Sequence, residues 1–296
     1  MLMTQSMQSW LLAFRLKTLT AAFIPVLVGT CLALSTGHFS GWWITFYCLA
    51  GAFCIQIATN LFNDAIDFKK GADTEERIGP QRVTQSGRLS EKQVWMIAFS
   101  FLLLAIFFGW PLVWRGGLVI VLLGLISLFL AYGYTGGPFP LAYLGLGDLF
   151  VILFFGLFAV GGTFYLQGLE FSLEALVAGL QVGFLSTILI AINNLRDSES
   201  DKKVNKKTLA VRFGDRFVKW EIGLLFALVY LFNFYYLYLK PNLWLALSFL
   251  SLPLAIFIIR FVISVRQKAH LNKALGLATL HQMVFGILLS LGFVLS

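Results

Sequence analysis

Residues 174–201 read E-A-L-V-A-G-L-Q-V-G-F-L-S-T-I-L-I-A-I-N-N-L-R-D-S-E-S-D, an apolar run that ends in a dense cluster of amides and acids. A helix needs about 20 apolar residues to cross the hydrocarbon core of a bilayer, and 174–193 supplies them. Asn193, Asp197 and Asp201 then stand four apart, so a continuing helix carries all three side chains on one face. The same construction occurs earlier in the chain. The apolar run 43–62 ends in N-L-F-N-D-A-I-D (60–67), where Asn60, Asp64 and Asp67 take the i, i+4 and i+7 places. Basic residues and glycine follow in both cases. They are Lys69-Lys70-Gly71 and Arg77 to Arg82 after the first cluster, Lys206-Lys207 and Arg212-Phe213-Gly214 after the second. Two matched clusters form a weak internal repeat, of the kind that builds a site between two halves of a membrane bundle.

The rest of the chain supports that setting. Of its 296 residues 59% are hydrophobic and 12% charged, against about 25% charged in a soluble domain, and the mean hydropathy is +0.84. Its solvent is therefore largely lipid. Spans are expected at 18–36, 43–62, 94–113, 117–135, 148–167, 174–193, 220–239, 243–263 and 275–295, nine transmembrane helices in one all-α bundle and one domain over 1–296. The first is full span length and is read as an uncleaved anchor rather than a signal peptide. With the N-terminus inside, every one of the 22 lysines and arginines except Arg115 and Lys240 falls on the cytoplasmic side, as the positive-inside rule demands. The C-terminus is then outside, and in a bacterium the membrane is the inner one. The net charge of +8 records this orientation and not a nucleic-acid partner. Cys31, Cys48 and Cys54 sit in apolar runs without metal-ligand spacing and read as buried thiols.

The loops after the second and sixth spans are expected to run to about 25–30 residues, and loops that long are usually functional. They hold Asp73, Glu75, Glu76 and Glu91 besides the first cluster, and Glu199 and Asp215 besides the second. Acids so crowded repel one another unless a cation lies between them, and removing one is not expected to destabilise the fold. The candidate ligands are all oxygens, which favours Mg²⁺ over zinc. Mg²⁺ binds through a few carboxylates plus substrate phosphate oxygens, and neighbouring Lys and Arg complement phosphate. A substrate with a diphosphate head and an apolar tail follows.

These clusters resemble those of the UbiA superfamily of intramembrane prenyltransferases. Further stretches are similar to its 1,4-dihydroxy-2-naphthoate polyprenyltransferase branch, which makes demethylmenaquinone: R-L-K-T-L-T (15–20), P-V-L-V-G-T (25–30), N-D-A-I-D-F-K-K-G-A-D (63–73), R-I-G-P-Q-R (77–82), Y-T-G-G-P (134–138), L-G-L-G-D-L (144–149) and K-T-L-A-V-R-F-G (207–214). They touch the first six spans; the last three match only in hydrophobicity. The resemblance implies Mg²⁺ held by Asp64, Asp67, Asp197 and Asp201, assisted by Asn60 and Asn193, against the diphosphate of an allylic polyprenyl donor. It implies substrate contacts from Arg15, Lys17, Asn63, Lys70, Arg77, Arg82, Asp148, Lys207 and Arg212, and a catalytic part for Tyr134. The naphthoate ring attacks the allylic carbon and loses CO₂; no obligatory protein partner is implied. Two departures stand out. Phe68 occupies a place where the superfamily often has an acid, with Asp67 and Asp73 as substitutes, and Asn205 precedes Lys206 where this branch often has glycine.

Other features read as structural. His281 is expected to be packed and hydrogen-bonded, His38 and His270 show no partner, and Gly179 and Gly183 have the spacing of close helix packing. The run F-V-I-L-F-F-G-L-F (150–158) suits either a lipid-tail groove or a lipid-facing surface. Competing functions are a sister transferase acting on 4-hydroxybenzoate, a tetrapyrrole or a naphthoate isomer, and a cation-coupled transporter or channel. Against a transporter, no acid or base lies at mid-span to continue an ion path.

Overall fold

The computed structural model describes residues 5–74 and 77–296, without the side chains of Gln5, Ser6 and Lys17; Glu75, Glu76 and the Lys17 side chain thus lie outside the described residues. Among these residues every regular element is helical: α1 Gln5–Phe14, α2 Thr20–Ser35, α3 Trp42–Lys69, α4 Glu91–Gly133, α5 Gly147–Gly168, α6 Leu173–Lys203, α7 Leu209–Leu239, α8 Leu243–Ser264 and α9 Lys268–Leu295. The seven from α3 to α9 are long and apolar enough to cross a membrane, and α2 is a shorter apolar helix.

One of the seven is two spans. α4 has 43 residues, about 65 Å of helix, twice the hydrocarbon thickness. It folds back at Gly117, whose φ of 59° and ψ of −145° suit glycine and few other residues. Trp95 from the first arm and Tyr132 from the second consequently meet, ring centroids 6.1 Å apart, and both pack on Phe62 of α3. Counting both arms and α2 gives nine apolar segments among the described residues, the number the charge alternation requires.

The boundaries differ from the hydropathy reading at the polar ends. α3 continues to Lys69 and α6 to Lys203, so both clusters ride on the last turns of their spans. The connection after α6 is only 204–208, not a long loop, because Thr208 caps α7 by accepting from the Val211 amide. Hydropathy marks the bilayer and not the end of the helix.

α6 is the most enclosed helix and packs on α2, α5, α7 and α9. Within α5, Ile152–Phe158 is π-helical. Gly156 there meets α6 backbone to backbone: a Cβ on it would lie 2.3 Å from the Gly179 carbonyl oxygen and 2.8 Å from Gly183 Cα. The Gly179/Gly183 pair is thus a packing device, as its spacing suggests. His281 is fully buried and shares a 2.8 Å hydrogen bond between Nε2 and the Tyr230 hydroxyl. His38, whose sequence context carries no partner signal, lies 3.3 Å from Glu170. The three cysteines are free.

Candidate active site

The helical ends of α3 and α6 place their acids in one polar nest, and the nest is neutralised by the chain itself. Asp64 is buried, accepts from the Val83 and Thr84 amides at 3.3 and 3.0 Å, and lies 4.0 Å from Arg15 Nη2. It therefore holds the 77–90 segment down on α3. Asn60 donates to the Phe14 carbonyl at 3.1 Å and to Thr18 Oγ1 at 2.9 Å, and so ties the N-terminal segment to the same helix. Asp67, one turn further, accepts from the Tyr143 hydroxyl at 2.9 Å.

On α6, Asp197 is gripped at both oxygens by Arg196, from Nε and Nη2, each at 2.7 Å. The Arg196 guanidinium is itself fully buried and also donates to Asn193 Oδ1 at 2.7 Å and Asn272 Oδ1 at 2.9 Å. Asp201 pairs with Lys206 at 3.5 Å, and its other carboxylate oxygen is buried without a hydrogen-bond partner. Arg77 joins the clusters, because it pairs with Asp73 on one side and lies 3.4 Å from Asp197 Oδ2 on the other. Arg82 Nε lies 3.3 Å from Asp73.

Charge compensation shows in the loop residues. Burial pushes the Asp73 carboxyl up to about 6, with Arg77 pulling it back down. Lys206 is desolvated, which alone would lower its pKa, yet Asp67, Asp201 and Asp197 together hold it above its ordinary value. Burial lowers Lys70, against the pull of Asp67.

Beneath the nest lies an apolar cavity of about 520 Å³ bounded by α2 to α5. Gln56, Thr59 and Tyr134 line its polar end, and Phe150, Phe154, Phe155 and Phe158 of α5 form one wall. The phenylalanine run therefore faces a cavity, as a tail groove requires. Gly147 lies against the Tyr134 hydroxyl, and Asp148 is buried beside it with Oδ1 lacking a hydrogen-bond partner.

Most of the residues singled out in the sequence gather here: Arg15, Asn60, Asp64, Asp67, Lys70, Arg77, Arg82, Tyr134, Asp148, Asn193, Asp197 and Asp201. Asn63 is half-buried next to Asp64. Two do not join them. Lys207 is exposed, and Arg212 is exposed and spends its guanidinium on the Lys207 and Leu144 carbonyls. The chain turns at Asn205, so that Lys206 faces the acids and Lys207 faces away. Sequence reading missed Tyr143, which no spacing rule connects to Asp67, and also Arg196 and Asn272. The last three spans also contribute: Asn272 donates to the Ile78 carbonyl at 3.0 Å, and Lys268 pairs with Glu199 at 3.2 Å.

The sequence signature of the UbiA prenyltransferase family matches residues 22–283. The chain belongs to this family. Its similarity to the 1,4-dihydroxy-2-naphthoate octaprenyltransferase of Escherichia coli (strain K12) is 32% identity, over 98% of this chain and 96% of that protein. Against the protein of the same name from Bacillus subtilis (strain 168) it is 31%, over 95% and 91%. Among solved structures, a UbiA homolog from Archaeoglobus fulgidus bound to DMAPP and Mg²⁺ superposes with a TM-score of 0.62 at 15% identity, covering 95% of this chain and 99% of that one. That similarity shows a shared fold. As a UbiA family member the chain is an integral, multi-pass membrane prenyltransferase, and the polar nest over an apolar cavity is its candidate active site.

Proposed function

We propose that this protein transfers a polyprenyl group from an allylic polyprenyl diphosphate to 1,4-dihydroxy-2-naphthoate, releasing diphosphate and CO₂ and giving demethylmenaquinol, the reduced form of demethylmenaquinone. One observation carries the reading: a nest of acids and cations sits at the mouth of an apolar, phenylalanine-walled cavity. A diphosphate head suits the nest and a polyprenyl tail suits the cavity. The relatives named for 1,4-dihydroxy-2-naphthoate support the choice of acceptor.

The donor set fits Mg²⁺. It is all oxygen, and Asp201 offers a buried carboxylate oxygen without a partner. Among the described residues no three acidic, His or Cys side chains converge on a common point, so a cation here would complete its shell from substrate phosphate oxygens. Asp67 and Asp201 would hold it, with Asp64, Asp197, Asn60 and Asn193 around them. When bound, Mg²⁺ supplies Lewis-acid stabilisation of the leaving diphosphate.

The side chains do the rest. Lys70, Arg77, Arg82 and Lys206 take up negative charge on the departing diphosphate, usually the largest catalytic contribution. The α5 phenylalanines and Tyr134 exclude water and present π-faces to positive charge developing at the allylic carbon, each contact worth up to about 2 kcal/mol when desolvated. Asp148, beside Tyr134, borders the acceptor. The naphthoate ring supplies the electron pair of the new C–C bond as the C–O bond to diphosphate breaks, and its carboxylate departs as CO₂, returning a pair to the ring.

The test is incubation of the purified protein with Mg²⁺, a polyprenyl diphosphate and a panel of aromatic acids, with mass analysis. The expected product carries the prenyl group on the naphthoate skeleton less CO₂, disappears with EDTA and returns with Mg²⁺ or Mn²⁺. Product from 4-hydroxybenzoate alone would reassign the acceptor, and no product from any acceptor would exclude transfer.

A further inference from the structure

Between the two acid clusters stands a side chain that belongs to neither. Tyr143 donates its hydroxyl to Asp67 Oδ1 at 2.9 Å. Lys70 Nζ lies 3.9 Å from the centroid of its ring, and Lys206 Nζ lies 5.5 Å from it. Lys206 at the same time pairs with Asp201 of the second cluster at 3.5 Å. The surrounding backbone is pinned the same way. The Tyr143 carbonyl accepts from the Lys207 amide at 3.0 Å, the Leu144 carbonyl accepts from Arg212 at 2.8 Å, and Lys70 donates to the Thr135 carbonyl at 2.8 Å. The 134–146 segment therefore clasps both clusters, and the same segment carries Tyr134 into the cavity wall.

We propose that Tyr143 is a positioning residue for prenyl transfer, orienting Asp67 for its divalent cation and holding Lys70 and Lys206 against one ring so that both ammonium groups face the diphosphate. The proposal rests on the reading of the nest as a metal–diphosphate site. A hydroxyl donated to one carboxylate oxygen restrains the rotation of the group and leaves the other oxygen available to a ligand. Loss of such an outer partner typically weakens metal binding by about 10–100-fold. Two lysines this close repel each other, and the ring quadrupole offsets part of that repulsion where water is excluded. Tyr143 thereby lets two cations share one side of the nest before any substrate arrives.

The probe is Mn²⁺ bound by the full-length protein in detergent with inorganic diphosphate present, followed by electron paramagnetic resonance. Tyr143→Phe removes only the hydroxyl and is expected to weaken Mn²⁺ binding about 10-fold or more. In an Asp67→Asn background the same change is expected to add nothing, since its effect runs through Asp67. Wild-type Mn²⁺ affinity in Tyr143→Phe, or an equal further loss in the Asp67→Asn background, overturns the proposal. A lowered melting temperature with unchanged Mn²⁺ affinity of the folded protein overturns it as well, since that is what a purely structural tyrosine produces. Should Tyr143→Phe fail to fold, Lys70→Met tests the lysine held on the ring. Weaker diphosphate binding at unchanged Mn²⁺ affinity supports the arrangement, and unchanged diphosphate binding rejects it. Wild-type Mn²⁺ affinity in Asp67→Asn alone would instead reject the metal site itself, so the two failures are distinguishable.

Discussion

Arg196 is the residue whose role the sequence conceals best. It stands inside the motif N-N-L-R-D and looks like one more solvated cation, yet it is fully buried and braces Asp197, Asn193 and Asn272 at once. Crowded acids suggest repulsion and a fold indifferent to their loss, and the structure corrects that expectation for two of them. Asp64 and Asp197 are already compensated, one by backbone amides and Arg15, the other by Arg196 and Arg77. Removing one partner of a buried ion pair strands the other, at about 3–5 kcal/mol. Arg196→Met is therefore expected to lower the melting temperature sharply in detergent, and Asp197→Asn to lower it as well. Arg196→Lys is not a rescue, because an ammonium cannot span the same bidentate geometry. A melting curve of Arg196→Met that superposes on the wild type would show the pair to be dispensable. Asn205 illustrates the opposite case, a departure from the family pattern that the backbone explains. Its φ of 56° is the left-handed conformation that asparagine tolerates nearly as well as glycine, so the turn survives the substitution.

At the scale of elements, hydropathy made the spans legible and left their polar ends unreadable. Apolar periodicity reports contact with lipid, so it falls silent where α3 and α6 leave the bilayer although both helices continue to Lys69 and Lys203. The spacing of the acids carried the information instead: residues at i, i+4 and i+7 matter together only on a helix. The 134–146 segment had no such signal, because its contacts to α3 and to the 204–208 turn join residues more than 60 positions apart. Close packing of α5 on α6 yields a prediction at this scale. Gly183→Ala puts a Cβ 2.9 Å from the Ile152 carbonyl, and overpacking of this kind costs typically 1–3 kcal/mol. The π-helical turn would shift with it, so the variant is expected both to melt earlier and to change the preferred prenyl chain length, read by offering donors of graded length. Unaltered stability and chain-length profile would mean that the α5–α6 contact gives way without moving the phenylalanine wall.

At the scale of the molecule, the fold gathers most of the charge at one end of the bundle, and the positive-inside rule puts that end in the cytoplasm. The polar nest shares a side with the lysines and arginines other than Arg115 and Lys240, while Arg115, at the fold-back of α4, binds the Leu166 and Gln167 carbonyls and Ser40 near the far ends of α2 and α5. Ser198 is buried against Lys268, whereas Ser90 and Lys202 are exposed and suit labelling. Single cysteines at Ser90 and Lys202, in a cysteine-free background, are expected to react with an impermeant thiol reagent only after permeabilisation, and a cysteine at Phe171 before it. The reverse pattern would invert the protein in the membrane. The account stands above all on the two clusters acting as one site, and Asp67 and Asp201 report on this most directly because neither is clamped by an arginine. The decisive measurement is kcat for Asp67→Asn, Asp201→Asn and the double variant at saturating substrates. Each single change is expected to lower kcat by about 100-fold or more, with the double variant little worse than either, since residues that work as a unit are not additive. Losses that multiply in the double variant, or near-normal turnover in either single variant, would contradict a shared site.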